Sequence, residues 1–494
     1  NSLYPYEYKF KYPKAGETNS SLDLKIYNLE SERTNSIDFN TSKKDFYYIP
    51  RIKFSEYSSK LYIQSLNRLQ NKLTLSSYDL DLGIIKEVIE EKDETYVNIQ
   101  KKIFFLENDN FLWISDRNGF DHIYLVGSNE EKIRQITFGK WDVDKLLGVN
   151  KSTIYYSSTE DSSIDRVIYS ISLDGKSKKA ISPKKGFNGA SFSSNYKYFI
   201  HTFEDSSTPM IYSLRESKSG KLIRRIMDND VLLKNLEPYS LSPKEFSEVD
   251  INDEKLNMWM IKPNNFNPKK KYPVLIYQYS GPGSQEVENR WNNNLDFWHQ
   301  LLAQKGYIIV CVDGRGTGFK GKKFKKVTYG QLAKYETEDQ ISFAKYLSKL
   351  PYIDKNRIGI WGWSYGGLIS TNGILKGNDI FSLAIAVAPV TNWRFYDTIY
   401  TERFMGLPKN NSDGYDLNSP LNFAHLLEGD YLLIHGSADD NVHLQNTMRM
   451  VEELIQNNKQ FEWMIYPDKN HGIYGGNSSI HLYNKMTTFI YDKL

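Results

Sequence analysis

Between Arg357 and Ser370 the chain reads Arg-Ile-Gly-Ile-Trp-Gly-Trp-Ser-Tyr-Gly-Gly-Leu-Ile-Ser. The apolar run Ile358–Trp361 has strand character, and Tyr365 onward reads as the start of a helix. Gly362-Trp363-Ser364-Tyr365-Gly366 lies between them, a G-x-S-x-G match on a strand–turn–helix junction. Few backbones satisfy this stretch. A serine that attacks a carbonyl must stand on a sharp, strained turn, and glycine at the flanks lets neighbouring backbone approach.

Two later strands carry partners for Ser364 in a fixed order. Tyr431–Gly436 reads as a buried strand and runs into Ser437-Ala438-Asp439-Asp440-Asn441-Val442. Phe461–Tyr466 reads as a second, and its loop Pro467–Gly472 presents His471, the only one of eight histidines so placed after a final strand. Serine, then acid, then histidine is the chain order of an α/β-hydrolase triad. The pattern alone does not separate Asp439 from its neighbour Asp440.

The surrounding sequence supplies a matching scaffold. Lys255–Pro263 reads as an edge strand and Tyr272–Tyr279 as a buried one. Helix Leu295–Lys305, strand Tyr307–Asp313, helix Glu336–Leu350 and strand Arg357–Trp361 follow. Strand Leu383–Ala388, the two strands above, a helix near Gln445–Asn457 and a closing helix Ile480–Lys493 complete the series. Alternating strands and helices build a parallel, doubly wound sheet, whose carboxyl-end loops hold ligands.

At 494 residues the chain exceeds one core, so a second domain is expected. The first half shows no convincing amphipathic helix. The apolar pleats Leu61–Ser65, Phe111–Ser115, Ile154–Ser158 and Tyr198–Thr202 start 50, 43 and 44 residues apart. Each leads through a polar turn to a second strand (Leu73–Tyr78, Asp121–Val126, Arg166–Ser172, Pro209–Leu214), and a third closes the unit, as in Lys132–Thr137 and Lys178–Ser182. A sheet unit recurring at this spacing predicts propeller blades rather than a plain sandwich. About four units are complete, and a partial one spans positions 3–40, so the expectation is an incomplete propeller lacking its early blades.

Composition excludes some roles. A net charge of +3 with both signs abundant is no nucleic-acid footprint, and the basic runs Lys43–Lys44, Lys184–Lys185, Lys269–Lys271 and Lys320–Lys326 read as solvated loops. No apolar stretch is long enough to span a membrane. The single cysteine, Cys311, lies in an apolar run and reads as a buried, inert thiol. No metal or cofactor is called for.

Gly362–Gly367, the run His435-Gly436-x-Ala438-Asp439-Asp440-Asn441-Val442-His443, Asp313-Gly314-Arg315-Gly316 and Tyr400–Gly406 together resemble the dipeptidyl peptidase IV branch of the prolyl oligopeptidase family. The likeness is specific over about 235–494 and looser across the β-repeats, with Tyr12-Pro13-Lys14-Ala15-Gly16 similar to a mid-propeller stretch. It implies β-propeller blades over 1–234 and an α/β-hydrolase catalytic domain over 235–494. By resemblance Ser364 would be the nucleophile, His471 the general base, Asp439 the orienting acid and Tyr279 the oxyanion donor alongside the Tyr365 backbone N–H. The proline pocket would be walled by Tyr365, Val390, Trp393, Tyr396, Tyr400 and Val442, with Asn441 near the substrate carbonyl and Arg403 at the wall.

The implied activity is release of X-Pro, and X-Ala, dipeptides from peptide N-termini. Alternatives are prolyl oligopeptidase-type, tripeptidyl peptidase or esterase activity on the same triad, or a non-catalytic scaffold. The family's paired glutamates that grip the substrate amine belong to a segment before this chain's start, and no Tyr-Glu-Glu occurs here. The resemblance also implies a homodimer and a periplasmic, secreted or cell-surface setting.

Overall fold

The structure, a computed structural model, describes residues 3–4, 8–37, 47–127, 133–291 and 293–494. Lys43–Lys44, Lys132 and the end of the partial unit at 38–40 lie outside the described residues. A two-stranded hairpin, Leu24–Asn28 with Arg33–Ile37, precedes four antiparallel sheets of four strands each, every one in simple sequence order. The pleats named above are the second strands of these sheets: Lys60–Leu66, Phe111–Ser115, Thr153–Ser158 and Tyr198–Asp205. Each sheet therefore gains an opening strand that the three-strand reading omitted: Tyr48–Phe54, Phe104–Phe105, Val143–Asn150 and Phe187–Phe192. These were hard to see because Phe104–Phe105 is only a dipeptide and Phe187-Asn-Gly-Ala-Ser-Phe is mostly small and polar.

The sheets stack face to face. Phe111 and Trp113 pack with Tyr62, Leu73 and Leu75 of the preceding sheet. Leu112, one residue out of step, joins Ile154 and Tyr156 of the following sheet. The period of two thus puts one strand's side chains into two successive interfaces, as blades require.

From Lys244 onward one eight-stranded sheet dominates. Its strands are β1 (Lys244–Ile251), β2 (Glu254–Ile261), β3 (Tyr272–Tyr277), β4 (Ile308–Val312), β5 (Ile353–Trp363), β6 (Leu383–Val387), β7 (Asp430–Gly436) and β8 (Glu462–Tyr466). The spatial order is β1-β2-β4-β3-β5-β6-β7-β8, antiparallel at β1–β2 and β2–β4 and parallel elsewhere. The Lys255–Pro263 stretch is consequently not an edge: β1 pairs along it as far as Ile261, and β4 flanks its other side. β1 is the edge, and its charged Lys-Glu-Phe-Ser-Glu-Val-Asp-Ile pattern suits a strand exposed on one side. Both faces of the central strands are buried. Val274, Ile276, Ile358 and Ile360 enter one core, while Leu275, Trp361, Ile385 and Ile434 enter the other. Cys311 is fully buried in the second core, as expected.

The basic run at Lys320–Lys326 does not behave as a solvated loop. Gly321–Lys326 is a short helix. Lys326 is buried and binds Asp93 and Asp116, each at 3.0 Å, and the Tyr96 carbonyl at 2.7 Å. Lys325 faces Asp121 and Lys322 pairs with Asp93, while the Gly321 N–H donates to Asp142 at 3.0 Å. Acidic residues at the ends of blade strands thus draw the run out of water, and the two regions meet there. A cavity of about 1110 Å³ lies between them, lined by Asp121, Asp142 and Phe192 on the blade side and by Pro282, Phe319 and Arg403 opposite.

Candidate active site

Ser364 ends β5, and the helix Tyr365–Lys376 starts on the next residue. Its φ of 60° and ψ of −115° lie outside the regions a non-glycine residue ordinarily occupies. Such strain costs about 1–3 kcal/mol and persists only where the surroundings impose it. The surroundings do. A Cβ on Gly362 would come within 2.6 Å of the Gly366 backbone, and one on Gly366 within 2.5 Å of the Gln278 carbonyl. The Gln278 amide donates to the Gly366 carbonyl at 2.7 Å and clamps the turn from β3. Glycine is required here by close approach of backbone.

Asp439 lies in the loop after β7, its side chain wholly buried. Its Oδ1 accepts the backbone N–H groups of Asn441 at 3.0 Å and Val442 at 2.9 Å, and its Oδ2 lies 2.7 Å from His471 Nδ1. His435 Nε2 approaches the same oxygen at 3.1 Å. Burial by itself would raise this carboxyl; the hydrogen bonds from His435 and His471 overcome it and hold it down at about 2. Asp440 is exposed instead, so the choice left open by sequence falls on the first acid as the partner of His471. His471, in the loop after β8, is brought to the elbow by Trp363, whose indole N–H donates to the His471 carbonyl at 3.0 Å. No direct hydrogen bond joins Ser364 to His471 among the described residues, a common state of such pairs before substrate binds.

The aromatic residues singled out from sequence converge beside the elbow. Ring centroids lie 5.5 Å apart for Tyr365–Trp393, 5.8 Å for Trp393–Tyr400, 5.4 Å for Tyr396–Tyr400 and 6.2 Å for Tyr279–Tyr365. Val390 and Val442 are buried in the same cluster. Burial raises the Tyr279 hydroxyl, and the Glu286 carboxylate adds to this, so it remains an O–H donor at neutral pH. The Tyr396 hydroxyl donates to Asn441 Oδ1 at 2.5 Å. Arg403 is held elsewhere: its guanidinium donates to the Val97 carbonyl at 2.6 Å and to Gln70 at 3.2 Å, and stacks over Tyr96. It joins the pocket wall to the blades.

Three further groups were given no role at the site from sequence. The segment Tyr12–Gly16 crosses the site: Tyr12 donates to the Asn441 carbonyl at 2.8 Å, Ala15 N–H to Tyr396 O at 3.0 Å, and Thr398 N–H to Pro13 O at 3.0 Å. Glu402, on the helix Thr398–Met405, is fully buried against Arg68, with both bonds at 2.7 Å. Glu336 accepts the Tyr365 hydroxyl at 2.6 Å. The Tyr-Pro-Lys-Ala-Gly stretch was a signal for the first and the Tyr400–Gly406 run for Glu402; nothing local marked Glu336.

Residues 293–494 match the model of the prolyl oligopeptidase family, and residues 1–210 that of the dipeptidyl peptidase IV N-terminal region. The crystal structure of Porphyromonas gingivalis dipeptidyl peptidase 4 superposes with a TM-score of 0.96 at 44% identity, covering 100% of this chain and 70% of that one. Among curated relatives, "Probable dipeptidyl-aminopeptidase B" of Phaeosphaeria nodorum is 33% identical over 99% of this chain and 56% of its own length. The protein of the same description from Pyrenophora teres is 34% identical over 98% of this chain and 56% of its own. The chain thus spans about half the length of the curated relatives it matches.

Proposed function

Since the chain belongs to the dipeptidyl peptidase IV branch of the prolyl oligopeptidase family, with propeller blades and a hydrolase domain, we propose that it acts as a serine exopeptidase. In this reading it releases X-Pro, and X-Ala, dipeptides through an acyl-enzyme. The observation that carries the proposal is the pairing of buried Asp439 with His471 at 2.7 Å, tethered through Trp363 to the strained Ser364 turn.

Ser364 Oγ attacks the carbonyl carbon of the second residue, and His471 Nε2 takes the hydroxyl proton. Asp439 remains ionised, fixes the imidazole tautomer and stabilises its charged form. The tetrahedral oxygen is met by the Tyr279 O–H and the Tyr365 N–H, donors set in place before reaction. His471 returns the proton to the leaving amine. Water, activated by the same imidazole, then releases the dipeptide and regenerates Ser364. The rings of Tyr365, Trp393, Tyr396 and Tyr400 with Val390 and Val442 suit a proline ring, held by dispersion and exclusion of water. Asn441 is assigned to the substrate carbonyl.

We place the domain division between 234 and 235, and assign a homodimer in a periplasmic, secreted or cell-surface setting on family likeness. Among the described residues, no helix is long and apolar enough to cross a membrane. The test is hydrolysis of a Gly-Pro-arylamide and of its N-blocked counterpart by the protein and by Ser364→Ala. Cleavage of the free substrate alone, lost in the variant, is expected. Equal turnover in Ser364→Ala removes Ser364 from the mechanism, and cleavage of the blocked substrate removes the dipeptidyl assignment.

A further inference from the structure

Glu336 opens the helix Tyr335–Leu347, directly behind the pocket. It has no exposed surface. One carboxyl oxygen accepts the Tyr365 hydroxyl at 2.6 Å, and the other has no hydrogen-bond partner among the described residues. The titratable groups around it are Tyr365 from the elbow helix, Tyr400 from the helix Thr398–Met405, and Asp339 on its own helix. Asp339 is already bound by Arg315 at 2.6 Å. No cation bonds to Glu336 itself among the described residues.

An isolated carboxylate in such a place is costly, and the group responds by keeping its proton. Burial pushes the Glu336 carboxyl up to about 8 despite the Tyr365 hydrogen bond, so it is mainly uncharged at pH 7. A costly buried group next to reacting atoms is more often found at working sites than in inert cores. Tyr365 is where two elements of the site meet. Its ring walls the pocket, and its backbone N–H follows Ser364 at the start of the helix.

We propose that Glu336 is a positioning residue whose hydrogen bond fixes the Tyr365 ring against Trp393 and so sets the shape of the pocket for the residue before the scissile bond. This rests on the peptidase reading above. Ionisation replaces a dry acid with a carboxylate that demands water behind the pocket wall, so substrate binding weakens on the alkaline side. The effect falls on KM more than on kcat, because the Asp439–His471 pair is not in contact with Glu336.

The experiment compares the unaltered protein with Glu336→Gln and Glu336→Leu, measuring kcat and KM for a Gly-Pro-arylamide from pH 6 to 10 and the thermal midpoint over the same range. Gln keeps an acceptor for Tyr365 but cannot ionise. The ratio of KM values between proteins cancels titration of the substrate's own amine. Glu336→Gln is expected to stay within about threefold of the parent at pH 7 and to lack the parent's rise in KM above pH 8, whereas Glu336→Leu raises KM about tenfold already at pH 7. A carboxyl raised on folding stabilises the fold below its ordinary value and loses that contribution as pH climbs through about 8, so Glu336→Gln should gain thermal midpoint over the parent across that interval. Superposable KM–pH profiles for parent and Glu336→Gln, or parent-like kinetics in Glu336→Leu, would overturn the proposal. If the parent shows no turnover at all, the peptidase reading fails separately, and parallel midpoint curves for parent and Gln would then reject the uncharged acid.

Discussion

The blades and the eight-stranded sheet solve the burial problem in opposite ways. In the sheet, β3 to β7 are apolar on both faces and feed two continuous cores, so position along the chain fixes position in space. The blades divide their apolar residues among smaller clusters between neighbours, and the closing strand Leu222–Met227 is exposed throughout. The triad candidates stand on the rigid partner. The outer supports of the pocket come from the other: Arg68 on Glu402, Val97 on Arg403, and Tyr12 on Asn441. Chemistry and shape are therefore stabilised by different regions.

That division is open to test, beginning with the largest effect. Ser364→Ala should lower turnover by about 10⁴–10⁶ while leaving the circular dichroism spectrum unchanged, since it removes only a hydroxyl from the turn. Arg68→Ala leaves the buried Glu402 without its ion partner and should cost about 3–5 kcal/mol in denaturant unfolding, with much of the loss recovered when Glu402→Met is added. Should the single change cost nothing, the blades do not support the pocket helix. Tyr279→Phe should lower kcat by about 10²–10³ with KM little altered, a loss on the sheet side alone.

The smallest and most diagnostic effect is the pH response of stability. Asp93, at the contact between regions, is buried but held well below the usual carboxylate range by Lys322, Thr95 and Lys326. Its contribution is present above the ordinary carboxylate value and is lost as pH falls through the depressed one. Glu286 and Asp313, inside the second region, are pushed up to about 7, each chiefly by burial. Their contribution is present below the ordinary value and is lost as pH rises through about 7. Acid should weaken the junction through Asp93, whereas alkali should weaken the sheet through Glu286 and Asp313 and the junction only through Asp142, pushed up to about 6 by burial. Limited proteolysis at pH 3 and pH 9 distinguishes the two, and identical cleavage patterns would refute the difference.

Sequence made the rigid region far more legible than the junction. Ser364, Asp439 and His471 could be singled out because each lies just past a strand of the sheet, where the loop position is set by topology. The blade repeat was visible in its second strands, whose apolar pleats are strong, but not in openings such as Phe187–Phe192, which rely on neighbours for burial. Lys326 looked solvated because a charge run carries no sign of the distant acids that neutralise it. Glu336 was unreadable for another reason: an acid in a helix's first turn normally complements the helix dipole at the surface, and only tertiary packing reveals that this one is dry. Arg403 was assigned to the pocket wall by resemblance alone, and its contacts across the junction depend on residues some three hundred positions earlier.

The Arg403 and Glu402 anchors carry a consequence for substrate traffic. Both sit on the short helix that also supplies Tyr400, and both are gripped by blade residues. A wide, clamshell-like parting of the two regions would pull those grips away and release the helix that carries Tyr400. In the peptidase reading proposed above, gaping and an ordered Tyr400 helix exclude each other, so a peptide would either thread in through an aperture while the halves stay shut or wait for them to reclose.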